Sequence, residues 1–217
     1  MESLTWVQRL IVGLVPLVFA ITVHEVAHGW MAKRLGDRTA EMLGRLTLNP
    51  FRHIDPVGTV LVPFVLWVVG DFIFGWAKPV PVTWENLKNP KRDMALVALA
   101  GPTANLLMAL GWAGVMKLGL LLGESFPWLG IPLIYMGDAG ITINLVLMLL
   151  NLIPIPPLDG SRVLMGVLPG PAAWQLGRIE PYGFFILIAL LATGLLGQLL
   201  GPPLLALRRI LYTLAGL

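Results

Sequence analysis

The stretch 21-ITVHEVAHGWMAKRL-35 sets two histidines and a glutamate inside an apolar run that extends from Trp6 to Met31. Ionisable side chains are costly in lipid and mark a cavity or a partner wherever they occur there. On a helix, residues four apart lie one above the other, and His24 and His28 can turn both imidazoles toward one point. Glu25 sits about 100° round from His24, where it can reach a water held at that point without being a ligand itself. This His-Glu-x-x-His pattern is that of a helical zinc site with a general base. A polar cluster that merely packs helices together is the plain alternative.

Composition agrees with a membrane setting. Of the 217 residues, 57% are hydrophobic and 12% charged, and the mean hydropathy is +0.81. Soluble domains carry about 25% charged residues, roughly twice as many. The net charge of +3 and pI near 9.5 come from basic residues placed between apolar runs, which is how membrane topology is encoded. No basic patch is interleaved with aromatics and no glycine loop is built to cradle phosphate, so nucleic acid and nucleotide are excluded as partners. The absence of cysteine excludes disulfides, thiolate metal sites and a cysteine nucleophile. The N-terminal run has weak early charge and no small-x-small cleavage site, and it continues into HEVAH; it reads as a retained first span.

Apolar stretches run over about Trp6 to Met31, Val57 to Trp76, Met94 to Leu122, Ile131 to Ile153 and Tyr182 to Leu200. A span needs about 20 apolar residues, and all but the second pass easily. That second stretch contains Pro63 and is interrupted at Gly70-Asp71, which suits either a full span or a re-entrant hairpin. The segments 38-RTAEMLGRLTLN-49 and 77-AKPVPVTW-84 suit strands better than helices, with Pro79 and Pro81 confining the second to an edge. The expected fold is therefore all-α and polytopic, with four to six transmembrane or re-entrant helices and a small membrane-associated β-hairpin or sheet. No repeat and no linker divides the chain. Residues 1–217 read as a single membrane-embedded domain, with a core over about 6–165 and C-terminal helices over about 182–214.

Zinc hydrolases supply three protein ligands and leave the fourth position to water. Segment 151-NLIPIPPLDGSRVL-164 offers the third: Pro154, Pro156 and Pro157 hold the chain extended and deliver Asp159 at a fixed place. Spacing alone leaves open that this arm only feeds a helix N-cap at Ser161. Taken together, HEVAH in an early span, 101-GPTAN-105 in a middle one and 151-NLIPIPPLDG-160 after a later one resemble the site-2 protease family of intramembrane zinc metalloproteases. Segments 44-GRLTLNPFRHIDPVGT-59 and 75-GWAKPVPV-82 resemble its small bacterial-type branch. The likeness covers residues 15 to 165 approximately. It implies one zinc ion held by His24, His28 and Asp159, Glu25 as general base, and regulated cleavage of transmembrane segments. The inserted PDZ or CBS domain of many relatives has no counterpart here.

Asn151 lies eight residues before Asp159, as in that family. Its amide suits donation to a developing oxyanion or a bond that closes its own helix. For Asn105 and Asn144, bonding between helices is the commoner use; for His53 and Asp55, a surface-loop role outweighs orientation of a ligand. Arg162 suits a headgroup or a nearby carboxylate. An extended segment, either 77–84 or the PIPPL arm, is expected to pair with an unwound substrate by strand addition.

The function expected is that of a membrane zinc endopeptidase whose partners are the lipid bilayer and a protein substrate with a transmembrane segment. A non-proteolytic membrane metal-binding or scaffold protein is the alternative, and the presence of Glu25 speaks against it. Nothing bears on oligomeric state. Lys33, Arg34, Arg38, Arg45 and Arg52 follow the first span, and Lys78, Lys88, Lys91 and Arg92 precede the third stretch. If the second stretch dips and returns, both groups lie inside. The positive-inside rule then gives an external N-terminus, parallel first and fourth stretches, and a zinc site near the cytoplasmic face of the cell membrane.

Overall fold

The computed structural model describes residues 5–62, 65, 75 and 77–217. Helix α1 (Trp6–Leu35) opens with a capping box, in which the Thr5 hydroxyl accepts from the Gln8 N–H and the Gln8 side chain accepts from the Thr5 N–H. It stops at Gly36, whose φ of +119° only glycine adopts readily. Thirty residues make a helix of about 45 Å, longer than the roughly 30 Å hydrocarbon core. The last turn with Lys33 and Arg34 therefore has length enough to leave the apolar layer.

A short helix α2 (Thr39–Met42), a 3₁₀ turn (Pro50–Arg52) and a single π-helical turn (Pro56–Leu61) follow. Beyond a 3₁₀ turn at Trp84–Asn86 come α3 (Pro90–Gly123) and α4 (Pro127–Asn151). Then come α5 (Asp159–Val167), α6 (Gly170–Gly177), α7 (Glu180–Ala192) and α8 (Leu195–Ala215). Three of these, α1, α3 and α4, are long and apolar enough to cross a membrane; α6 and α7, bent by 63°, could together make a fourth span. The chain is a multi-pass membrane protein.

Pairings between helices fix their directions. Toward higher numbers on α1, His24 meets Asn105 and His28 meets Val97, which makes α1 and α3 antiparallel. Asn105 meets Asn144, and positions Gly140, Gly137 and Gly130 lie close against Trp112, Met116 and Gly119 in turn. Thus α3 and α4 are antiparallel as well, and α1 and α4 are parallel, as expected. Small residues let α3 and α4 approach closely, the usual device where lipid removes the hydrophobic incentive to pack. Below this contact Ala109, Ala113, Ile141, Leu145 and Met148 form a core with Leu211 of α8. Asp138 of α4 ties α8 down through the Arg208 guanidinium and the Tyr212 hydroxyl.

Two expectations are corrected. No strand occurs among the described residues. Segment 38–49 contains α2 because Asp37 accepts the Thr39 N–H at its start, and 77–82 runs extended without a ladder partner. The expected fifth span, Tyr182 to Leu200, is not one helix. Gly194 takes a left-handed φ of +74° and divides it into α7 and α8, and α8 absorbs the C-terminal tail. The second stretch, 57–76, falls largely outside the described residues. Its flanks do not: the Lys78 N–H donates to the His53 carbonyl (2.9 Å) and the Lys88 N–H to the Leu35 carbonyl (3.1 Å). Both basic groups therefore sit at the same end of the helices.

Candidate metal centre

One helical turn apart on α1, His24 and His28 bring their Nε2 atoms to 3.0 Å, with the rings edge-to-face at 87°. Each ring is held at its other nitrogen. His28 Nδ1 donates to the Val97 carbonyl at 2.7 Å, and His24 Nδ1 to Asn105 Oδ1 at 2.5 Å. Asn105 Nδ2 then donates to Asn144 Oδ1 (3.0 Å), and Asn144 Nδ2 to the Gly140 carbonyl (2.8 Å). A carbonyl can only accept. The chain that ends on Gly140 therefore runs in one direction, and it makes His24 the tautomer with its proton on Nδ1. The Val97 carbonyl does the same for His28. With each ring neutral, both Nε2 atoms present a lone pair inward.

Helix α3 reaches the imidazoles through Val97, Gly101 and Asn105, a stripe with a step of four. A Cβ built on Gly101 would lie 2.5 Å from His24 Cε1 and from His28 Nε2. Glycine is required there by the closeness of α3, and the GPTAN motif combines that approach with an amide one turn further on.

Asp159 arrives from the other side. After α4 the N–H groups of Leu152, Ile153, Ile155 and Leu158 all close local turns. Gly160 then packs so tightly on the Leu152 carbonyl that a Cβ would come within 2.2 Å. This seats Asp159 at the first position of α5, where Leu158 is the cap and no side chain caps the helix. Its Oδ2 lies 3.2 Å from His24 Nε2 and 3.3 Å from His28 Nε2. That oxygen is buried and has no hydrogen-bond donor. The N-cap alternative for this arm does not hold; the carboxylate belongs to the histidines.

The fit to zinc follows from the donor set. Two imidazole nitrogens and a carboxylate oxygen converge on one point, a donor set of the kind that binds zinc and whose charge a divalent cation neutralises. Ligand bonds of about 2.0–2.2 Å at a tetrahedral angle separate two ligand atoms by roughly 3.3–3.6 Å; the two distances to Asp159 lie close to that, and the Nε2 pair at 3.0 Å is somewhat closer. Side-chain exposures of 10%, 12% and 15% for His24, His28 and Asp159 leave a narrow opening rather than a sealed site. Among the described residues no other histidine or carboxylate joins this group.

The remaining expected residues lie as follows. Glu25 is partly buried and its Oε2 accepts the Val80 N–H at 2.7 Å. Asn151 donates its amide to the Leu147 carbonyl in its own helix. His53 is buried, not exposed, and its Nε2 donates to the Thr47 carbonyl; Asp55 caps the π-helical turn. Arg162 pairs with Glu180 and lies over the Trp84 ring. The role of Asn105 as the acceptor that orients His24 goes beyond what its position in a span suggested.

Strand addition finds few free donors. Of the N–H groups in 77–83, those of Lys78, Val80 and Thr83 are engaged with His53, Glu25 and Asp37, and Pro79 and Pro81 have none. In the PIPPL arm every N–H present closes a turn.

Comparison with known proteins places the geometry in context. The chain is 38% identical over 192 residues to a Bacillus subtilis protein named putative zinc metalloprotease YwhC, covering 88% of this chain and 84% of that one. It is 30% identical over 198 residues to putative zinc metalloprotease Rip2 of Mycolicibacterium smegmatis, covering 91% and 73%. To Rip2 of Mycobacterium tuberculosis it is 29% identical over 183 residues, covering 84% and 67%. No family model and no solved structure matches it.

Proposed function

Because the chain belongs to the zinc metalloprotease family of YwhC and Rip2, the site-2 protease family that its motifs resemble, we propose that it is an intramembrane zinc endopeptidase. Its substrates are proteins of the same membrane, cut in or near a transmembrane segment in regulated intramembrane proteolysis. The observation that supports this reading best is the meeting of His24, His28 and Asp159 with both histidine tautomers fixed toward the centre.

One ion would be held by the three side chains. Zinc bound there supplies a Lewis acid that polarises a carbonyl and lowers the pKa of water to about 7. Glu25, the neighbouring carboxylate outside the ligand set, takes the proton of the attacking water as its oxygen bonds to the scissile carbon. The same proton passes to the leaving amide nitrogen as the C–N bond breaks. Asn151 would serve the oxyanion only after leaving the Leu147 carbonyl, which makes it the weaker of the two catalytic candidates. We place the site at the cytoplasmic face of the cell membrane, because the basic residues that follow α1 and precede α3 share one end of the helices.

Glu25→Gln tests this directly. Purified in detergent, the variant should keep the parent's zinc content and lose cleavage of a model transmembrane substrate. Persistent cleavage would remove Glu25 from the mechanism.

A further inference from the structure

Residues 77–83 cross α1 as an extended strap, and proline leaves its middle with a single backbone donor. Pro79 and Pro81 carry no N–H, and that of Val80 goes to Glu25 Oε2 at 2.7 Å, across 55 positions of sequence. The strap is tied on both sides of that bond. Toward its start, Lys78 is bonded to the His53 carbonyl, and Arg45 Nη2 donates to the carbonyls of Lys78 (3.0 Å) and Pro79 (3.4 Å). Toward its end, the Thr83 N–H donates to Asp37 Oδ2 at 2.8 Å. Asp37 is fully buried, and its other oxygen takes the Thr39 N–H and the Asn86 amide.

The sequence also makes room for the strap at one place on α1. Gly29 lies one turn beyond Glu25, and a Cβ there would stand 2.9 Å from Val80 Cγ1. With glycine at 29 the Val80 side chain is buried against the helix, which brings its N–H to the carboxylate one turn back. A loop that only needed to stay folded would not require the one donor between its two prolines to face the one acidic side chain of the HEVAH turn. A glutamate has three side-chain torsions to fix, and a base must be held within about 0.5 Å of its working position.

We infer that the strap is a positioning element for hydrolysis: the Val80 N–H orients the Glu25 carboxylate, and Arg45 and Asp37 act on the reaction through it. This rests on the reading of Glu25 as the base. It also takes the Val80 N–H out of reach of a paired substrate strand, since that donor is already engaged.

The test measures kcat and KM separately for a model transmembrane substrate in detergent, with zinc content determined on the same samples. Val80→Pro deletes the donor and keeps the extended backbone. It should lower kcat about 10- to 100-fold, the loss expected for one hydrogen bond to a charged group. KM should stay within about twofold and zinc at the parent level. Val80→Ala keeps the donor and trims only packing, and its kcat should fall roughly tenfold less. Arg45→Ala should lower kcat in the same direction with zinc retained. A Val80→Pro enzyme with the parent's kcat overturns the inference, and so does a rise in KM alone, which would make the strap a substrate contact. If Val80→Pro loses zinc, replacing the Val80 amide by an ester, with the side chain kept, gives the same comparison. Glu25→Gln run in parallel tells the two failures apart. Should it still cleave, the base assignment falls and the strap with it; should it be inert beside a fully active Val80→Pro, only the strap falls.

Discussion

His24 and Asn105 are joined by a 2.5 Å hydrogen bond whose direction is decided two groups away, at the Gly140 carbonyl. The bond belongs to the metal centre as much as the ligands do. An asparagine with a free amide could present either oxygen or nitrogen to the ring, and the wrong choice would put the imidazole proton where a metal must bind. Asn144 removes that choice. Both asparagines are fully buried, and water is not at hand to substitute for either.

Asn105→Ala should therefore weaken zinc binding although no ligand is touched. Loss of an orienting partner costs about 10- to 100-fold in metal affinity, measured by competition with a chelator. Asn105→Asp keeps an acceptor for His24 and should lose less. An alanine variant that binds zinc as tightly as the parent would show that the ring needs no such partner.

Gly101→Ala is the steric counterpart. Its methyl group would stand 2.5 Å from both imidazoles, against His24 Cε1 and the candidate ligand atom His28 Nε2. The expected outcome is a folded, monodisperse protein with its zinc lost. Stoichiometric zinc in this variant would mean that α3 can retreat from the histidines.

HEVAH was legible in the sequence because its geometry is local: a step of four on a helix already aims two rings at one point. Asp159 was legible only in part: the prolines mark a fixed arm, but spacing left it between a ligand and a helix N-cap, and the family resemblance rather than the arm pointed to the ligand. What escaped was decided by long-range partners. An asparagine in a span signals a bond between helices, but only the antiparallel crossing of α3 on α1 selects His24 as its partner. Segment 77–84 has the composition of an edge strand, yet its donors find a carboxylate, a carbonyl and Asp37 instead of a neighbouring strand. The run from Tyr182 to Leu200 looks continuous to hydropathy, which weighs Thr193-Gly194 as two mild residues and misses the left-handed turn there.

Asp37 gives a prediction in pH. Burial alone would raise its pKa, but hydrogen bonds from Thr39, Asn86 and the Thr83 N–H outweigh burial and hold it below the usual carboxylate range. A lowered folded pKa means that the charged form stabilises the fold above the ordinary value near 3.9, and that this contribution is lost as pH falls through the lower folded value. Asp37→Asn should unfold at a temperature lower by about 5 °C or more near neutral pH, the shift for roughly 2 kcal/mol in a chain of this size. The gap between parent and variant should narrow below about pH 4. A gap constant from pH 7 to pH 3 would show that the charge contributes nothing.

The last prediction concerns the face of the membrane that the site looks toward. Residues 35 and 88, and 53 and 78, are bonded to each other, which puts the basic groups around Arg38 and Lys91 on one side. The turn between α3 and α4 lies at the opposite end, with Glu124 and no lysine or arginine between Lys117 and Arg162. By the positive-inside rule the first side is expected to be cytoplasmic and the second external. Because the chain lacks cysteine, single cysteines can report this on intact cells with an impermeant thiol reagent. Ser125 is exposed in the α3–α4 turn, and Ser125→Cys should be labelled. For the other side Met42 is suitable, since it is 75% exposed, whereas Thr83 is tied to Asp37 and Thr39. Met42→Cys should react only after the membrane is permeabilised. The reverse pattern would turn the whole molecule over and place the zinc site at the outer face. Labelling of both in intact cells would contradict the helix directions themselves, because α3 would then begin and end on the same side.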